Sequence, residues 1–508
     1  IIRSSQEIFG MGVILFVRSA IFCLVLYFIF STDESIAVSL SRVRQSVFKI
    51  NAISQGVNYS QPWLPRRQVR SSGTGFYIGE GRILTNAHVV AQSQFLTVLR
   101  DGDDNPMVAT IKFIAHDSDL AILGVDDPGY FTDALTLNFG GLPKLRREVS
   151  TVGYPKGGEQ ISVTEGVVSR IGFRNYVHPG AMKHLLVQVD SAINSGNSGG
   201  PVFQGQEVVG VAFQAYTQAE NTGYIIPVPV IKRFLVDIED GVYHGHPANG
   251  LITLQGVMAN PALREYHGLK EGEGGVKVSH VAIYASTYGV LKKNDIILSI
   301  NSRPIGVDGK LNFDGERVSF EAVFDLYQLG ENVNFGLVRG KKRLEASVPI
   351  NLARAHHRLG NSYPEYPRFD IFAGLVFTPL SRGYLKSFGR KWHKNSPLHL
   401  RYAHWYSRVI ERFATASDII VLGGRLPDPI NSYASRFEEK ILDKVNGVII
   451  NGLNDIESAL TKGDEKFIVI NFWQDKTPLV IPRKEALKRH NAILKKYKIQ
   501  PRRWLHEG

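Results

Sequence analysis

Ser198 stands in "SGNSGGP" (195–201), with Gly196, Gly199 and Gly200 around it and Asn197 before it. Such a run is costly, because glycine loses more backbone freedom on folding than any other residue. A bland turn needs one or two glycines; three suit a backbone whose N–H groups must converge on a ligand. A serine hydroxyl attacks a carbonyl only when a neighbouring base takes its proton. A histidine base works best when a carboxylate fixes its tautomer, and the resulting oxyanion needs preorganised donors. "ILTNAHVV" (83–90) offers His88 just past a strand, and "HDSDLAIL" (116–123) offers Asp119 at the start of another.

Taken singly, each residue has a plainer explanation. A histidine at a strand end usually packs, and an aspartate before an apolar run usually makes a turn. Together in one β-rich segment, in the order His, Asp, Ser, they point to a triad of His88, Asp119 and Ser198. Ser191 and Ser195 compete with Ser198, but neither has glycines on both sides. Asp117 and Asp190 compete with Asp119; the first is farther from the strand and the second belongs to the nucleophile's own strand.

The elements that would hold these groups are short strands. From Gly73 to about Val236, runs such as "GTGFYI", "FLTVLR", "DLAILGV", "HLLVQVD" and "GYIIPV" alternate with turn signals and show almost no helical periodicity. That pattern predicts an all-β barrel or sandwich. From Leu251 to Ile350 the pattern is mixed: "LKKNDIILSINSRPI" (291–305), an apolar helix-like "SFEAVFDLYQL" (319–329) and a closing strand pair. "RFEEKILDKVNGVIINGLNDIESAL" (436–460) follows the same plan of apolar strand, Asn-Gly-type turn and helix. The two stretches read as a degenerate repeat, hence two related modules, with 356–369 between them.

The chain has 508 residues, room for about three domains. Its 44% hydrophobic and 21% charged content is that of folded material. The net charge of +12 is spread over several segments, so it bears on solubility more than on one acidic partner. Cys23 is the only cysteine, which rules out an intrachain disulfide and a cysteine-rich metal site. No P-loop, no dinucleotide glycine motif and no HExxH is present, so no cofactor and no metal are expected. The basic tail "PRKEALKRHNAILKKYKIQPRR" (482–503) reads as an amphipathic helix closing the last module, with Leu487, Asn491, Leu494 and Tyr497 inward. No nucleic-acid partner is expected.

Residues 11–35 are apolar but interrupted by Arg18, leaving a run from Ala20 to Phe30. The run is short for a membrane span and fits a signal-peptide core or an uncleaved anchor. It makes export to a cell envelope or periplasm the first expectation, with membrane association through the N-terminus. An organelle or nucleus is the alternative.

"TNAHVV", "DLAIL", "VGYPKGGEQISVTEGVVSRI" (152–171) and "DSAINSGNSGGPVF" (190–203) resemble the HtrA/Deg serine proteases. "GVAFQ", "NTGYIIPVPVIKRFL", "FAGLVFTPL" and "KVNGVIING" extend the resemblance to the plant-type Deg branch, over about Ser71 to Ile499. The resemblance implies a mostly β chain: a trypsin-like double β-barrel followed by two α+β PDZ-like modules. It implies a signal or anchor over 1–35, an arm over 36–70, protease over 71–240 and PDZ-like modules over 246–352 and 365–503. Gly196, Asn197 and Ser198 would supply oxyanion-hole amides, and Ile193, Val211 and Phe213 an apolar pocket for a small or medium aliphatic side chain. Gly250, Leu251 and Ile252 would begin the peptide groove of the first PDZ-like module. The implied activity is ATP-independent endoproteolysis of unfolded or damaged proteins by homotrimers or their multiples. The alternatives are a peptide-binding chaperone scaffold with little proteolysis, or a membrane-tethered regulatory protease with one dedicated substrate.

Overall fold

A computed structural model describes residues 43–505, apart from 156–157, 159, 195, 216–221, 248–250, 284, 352–358 and 365. The signal or anchor expected over 1–35 and Gly250 lie outside the described residues. No helix among the described residues is long and apolar enough to cross a membrane.

The first closed barrel has six strands, β1 (Val47–Gln55), β2 (Gln68–Tyr77), β3 (Arg82–Thr85), β4 (Ser93–Arg100), β5 (Met107–Ala115) and β6 (Leu120–Val125), in the order β1-β2-β3-β6-β5-β4. β1 closes it, pairing with β2 on one side and β4 on the other. This strand falls in the stretch expected as an arm. Its buried residues, Val47, Phe48, Ile50 and Ala52, alternate with Lys49 and Asn51, a pattern too polar to stand out beside the apolar strands that follow it.

The second closed barrel is built from β7 (Glu148–Gly153), β8 (Ser162–Asn175), β9 (Lys183–Val189), β10 (Pro201–Gln204), β11 (Glu207–Ala215) and β12 (Gly223–Pro227). Closing each sheet on itself removes the exposed edges that an open sheet would present. The helix Val228–Asp237 leaves β12 with Val228, Val230, Ile231 and Phe234 buried. Its apolar face joins barrel side chains such as Val211 and Phe213 to Val276, Ile297 and Phe335 of the following module in one core.

That module contains β13 (Leu251–Leu254), β14 (Val276–Val281), β15 (Ile296–Ile300), β16 (Arg303–Pro304), β17 (Lys310–Phe313), β18 (Glu316–Ser319), β19 (Asn332–Arg339) and β20 (Lys342–Pro349). Its main sheet runs β13-β14-β15-β19-β20. The helix expected over 319–329 is a 3-10 helix, Phe320–Leu326, with Phe320, Val323 and Phe324 buried. The last module has β21 (Phe369–Phe372), β22 (Leu375–Pro379), β23 (Ile420–Arg425), β24 (Leu442–Val445), β25 (Val448–Ile449), β26 (Phe467–Phe472), β27 (Leu479–Pro482) and β28 (Arg503–Trp504) in two four-stranded sheets.

The two stretches share one turn conformation. Asn301 and Ser302 turn β15 into β16 with φ of 45° and 62°, and Asn446 and Gly447 turn β24 into β25 with φ of 48° and 77°. Two successive positive φ values are what a tight hairpin demands. The basic helix spans Arg483–Lys496 and buries Arg483, Ala486, His490 and Ile493. The expected inner face is therefore one residue out of register: Leu487 is exposed and Leu494 and Tyr497 are only half-buried. Alanine and histidine carried too little apolar signal to mark the true stripe.

Candidate active site

His88 opens from a one-turn helix, Ala87–Val90, directly after β3, with Ala87, Val89 and Val90 buried beneath it. The helix anchors the backbone and leaves the imidazole one-third exposed. Asp119 immediately precedes β6 and is fully buried. Its φ of +56° is a left-handed conformation that aspartate tolerates better than most residues. One carboxylate oxygen accepts the His88 backbone N–H at 2.7 Å. The other pairs with the His88 ring at Nδ1, also at 2.7 Å. The Asn86 side chain donates to the Asp119 carbonyl at 3.0 Å, closing the frame.

This pair perturbs both groups. Burial lowers the proton affinity of His88, but the Asp119 charge and hydrogen bond outweigh it and raise the ring above its ordinary value. Burial pushes the Asp119 carboxyl up, while His88 and His178 bring it below the usual carboxylate range. Nε2 of His88 is thereby defined as the side of the ring available for proton transfer.

Ser198 sits in the turn that joins β9 to β10 of the second barrel, where it packs against β2 of the first. Thr74, on β2 of the first barrel, holds that turn: its hydroxyl donates to the Gly196 carbonyl at 2.7 Å and its N–H to the Ser198 carbonyl at 2.8 Å. The Thr74 carbonyl in turn accepts the Thr85 hydroxyl at 2.7 Å. Gly199, with φ of +87°, lies so close to this latch that an added Cβ would meet the Thr74 carbonyl oxygen at 2.0 Å. The glycine density is thus partly a packing requirement. Ser198 Oγ donates to the Phe213 carbonyl at 3.2 Å, and the Phe213 ring centroid is 6.4 Å from that of His88.

The expected oxyanion donors separate. The Asn197 N–H turns back to the Asn194 carbonyl at 3.1 Å and is not available to a ligand. Among the described residues, the N–H groups of Gly196 and Ser198 have no acceptor. Gly196 takes φ of +109°. The pocket expectation also divides: Val211 and Phe213 share a core with Tyr176, whereas Ile193 packs with Val149, Val202, Ala212 and Ile225. Alternate residues of β11 face opposite ways, and Ile193 lies on the Ala212 side. All three side chains are buried, between 0% and 4% exposed. Leu251 is buried in the shared core, and β13 pairs with β14 at the edge of its sheet, with Ile252 opposite His280.

The rival residues have other partners. Asp117 accepts the Tyr243 hydroxyl and, at 2.8 Å, the His246 N–H. Asp190 accepts the Val167 N–H. Ser191 is buried with its hydroxyl unpaired among the described residues, and Ser195 lies outside them.

The site has neighbours that sequence reasoning missed. The His178 ring is 6.2 Å from His88 and hydrogen-bonded to His116, Nε2 to Nδ1, at 2.9 Å. Tyr363, from the segment entering the last module, stacks on both, at 4.1 Å from His178 and 4.6 Å from His116. Burial pushes His178 down to about 3, with Asp119 opposing and His116 assisting, so it is a neutral ring at physiological pH. Thr74 was hinted at only by its glycine neighbours in "SGTGF"; His178 and Tyr363 had no local signal.

Known proteins resemble the chain along most of its length. Residues 73–211 match the model of the trypsin-like peptidase domain, and residues 360–504 match that of the PDZ domain. "Protease Do-like 2, chloroplastic" of Arabidopsis thaliana is 35% identical over 467 residues, covering 90% of this chain and 74% of that protein. "Protease Do-like 4, mitochondrial" of the same plant is 35% identical over 438 residues, covering 84% of this chain and 80% of that one. Among solved structures, "HtrA-type protease AlgW with tripeptide" is 22% identical with a TM-score of 0.48, covering 62% of this chain and 96% of that one.

Proposed function

From the premise that the chain belongs to the Do-like (HtrA/Deg) family of serine proteases, we propose that it is an ATP-independent endopeptidase working through His88, Asp119 and Ser198. The observation that carries this reading is the grip of both Asp119 oxygens on His88. A buried carboxylate bound to Nδ1 leaves Nε2 as the base. The Ser198 hydroxyl turns from the Phe213 carbonyl toward Nε2 when substrate arrives, and attacks the scissile carbonyl as its proton passes to His88. The Gly196 and Ser198 N–H groups receive the oxyanion, and His88 returns the proton to the leaving amine. Val211 and Phe213 favour an aliphatic side chain, since neither offers a carboxylate to a basic one.

Unfolded or damaged proteins are the proposed substrates, handled by an oligomer built on trimers. An extended peptide adds at the open edge of β13, the β-augmentation mode. The relatives named as chloroplastic and mitochondrial favour an organelle over the cell envelope first expected from residues 11–35.

A second reading has its own observation. The Ser198 hydroxyl is engaged by Phe213, and both polar atoms of the buried Asn197 side chain lack partners among the described residues. This is a resting arrangement that must rearrange before catalysis.

Cleavage of β-casein without ATP or metal, beside Ser198→Ala and His88→Ala, tests both readings. Cleavage by the parent alone supports the triad, and product ends report the pocket. Equal cleavage by parent and Ser198→Ala sinks it. A parent that reacts with a fluorophosphonate only after peptide is added identifies the resting form.

A further inference from the structure

His184, His246 and Asp325 meet from three separate parts of the chain: β9 of the second barrel, the segment after the helix Val228–Asp237, and the 3-10 helix of the first PDZ-like module. All three are buried. His184 Nδ1 and His246 Nε2 each lie 2.8 Å from the same atom, Asp325 Oδ1.

The far nitrogens decide the state of the near ones. His184 Nε2 lies 2.8 Å from the Asp117 carbonyl oxygen, and His246 Nδ1 lies 2.8 Å from that of Pro247. A carbonyl only accepts, so each far nitrogen carries a ring proton. In a neutral imidazole the other nitrogen is then a lone pair. Two such lone pairs would face one carboxylate oxygen in a dry interface, which is repulsive unless positive charge lies among them. That charge is either a second proton on one or both rings or a single divalent cation. The buried Nε2 of His246, despite its distance, lacks the alignment of a hydrogen bond. Imidazoles that donate the outer N–H to a carbonyl while the inner nitrogen faces a shared point have the form of metal-ligating histidines.

We propose that His184 Nδ1, His246 Nε2 and Asp325 Oδ1 bind one divalent transition-metal ion of the zinc class. Two imidazoles and a carboxylate suit zinc and its neighbours, whereas calcium and magnesium seek oxygen ligands. The second oxygen of Asp325 accepts the Leu185 N–H, which orients the carboxylate. The ion clamps the first PDZ-like module and its connecting segment to the second barrel. It also braces the loop that holds Asp119, because His184 grips the carbonyl of Asp117 two residues away. Positions 184, 246 and 325 match no short ligand motif, so the absence of metal expected from motifs does not bear on this site.

The test takes the whole chain, stripped with dipicolinate, equilibrated with Zn²⁺ and desalted. The expected result is about one zinc per chain by mass spectrometry, a higher thermal midpoint than the stripped protein, and a d–d absorption band on Co²⁺ substitution. His246→Gln and Asp325→Asn should each weaken zinc binding by at least about tenfold, while His399→Gln, at an exposed histidine of the last module, leaves it unchanged. The zinc content of the unmutated chain reads the proposal even where a variant misfolds. Stripped protein that takes up no zinc and melts at the same temperature with and without it overturns the proposal. Nitrogen chemical shifts of a doubly protonated ring at His184 or His246 in that sample would identify protons as the missing charge.

Discussion

Tyr363 lies flat on His178, with ring centroids 4.1 Å apart, planes 13° apart, and its hydroxyl donating to the His178 carbonyl at 2.8 Å. The contact ties the entry of the last module to the wall beside His88. Tyr363→Phe keeps the stack and loses one hydrogen bond, so it should cost about 1 kcal/mol in denaturant unfolding. Tyr363→Ala should cost roughly 2 kcal/mol or more. It should also lift His178 from about 3 toward its ordinary value as the ring is uncovered. An NMR titration in which His178 does not move would show that Tyr363 is not what buries it.

The raised proton affinity of His88 fixes the sign of a pH profile. Proteolysis requires the neutral ring, so kcat/KM should rise with pH through a value above 6.5 rather than below it. Asp119→Asn keeps the shape and loses the charge, and should lower kcat on the order of 10⁴-fold. A profile centred below the ordinary histidine value would contradict the Asp119–His88 pairing as the controlling interaction.

Two glycines of the nucleophile turn should fail in different ways. Gly199→Ala drives a Cβ into the Thr74 carbonyl and strains a φ of +87°, so the loss should appear in folding, as a lowered melting temperature or insoluble protein. Gly196→Ala strains the residue whose N–H is a proposed oxyanion donor. It should lower kcat by about 10²–10³-fold with a smaller change in stability. If Gly196→Ala unfolds the protein while Gly199→Ala stays folded and idle, the two roles are reversed.

Asp370 offers a test away from the site. Burial raises its carboxyl to about 6, with Arg503 opposing. A carboxyl whose folded value exceeds its unfolded one contributes stability that is present below the unfolded value, near 3.8, and lost as pH rises through about 6. Asp370→Asn mimics the protonated form and should stabilise the chain at pH 7 by up to about 3 kcal/mol. The gain should vanish near pH 4. A variant less stable at pH 7 would mean that the Arg503 pair, at 3.6 Å, outweighs the burial.

How much was legible follows from the range of each interaction. His88, Asp119 and Ser198 could be proposed from the sequence because their surroundings are local: a strand end, a turn into an apolar strand, and a glycine-dense turn. The two barrels were readable because alternation and turn residues repeat along the chain. β1 was missed because Lys49, Asn51 and Ser54 make it less apolar than the strands that follow. The inner face of the basic helix was misplaced because its true stripe includes alanine, histidine and arginine.

The sequence by itself determined the family of folds and the three residues proposed for catalysis, since turn chemistry and periodicity act between near neighbours. Only the tertiary structure decided which amides remain for an oxyanion, that Thr74 latches the nucleophile turn, and that Tyr363 reaches His178. It alone brought His184, His246 and Asp325 to one point. The Thr74–Gly196, His184–Asp325 and Tyr363–His178 contacts join residues from 122 to 185 positions apart. No local preference encodes them; they exist because barrel closure and the packing of the next modules bury those side chains against one another.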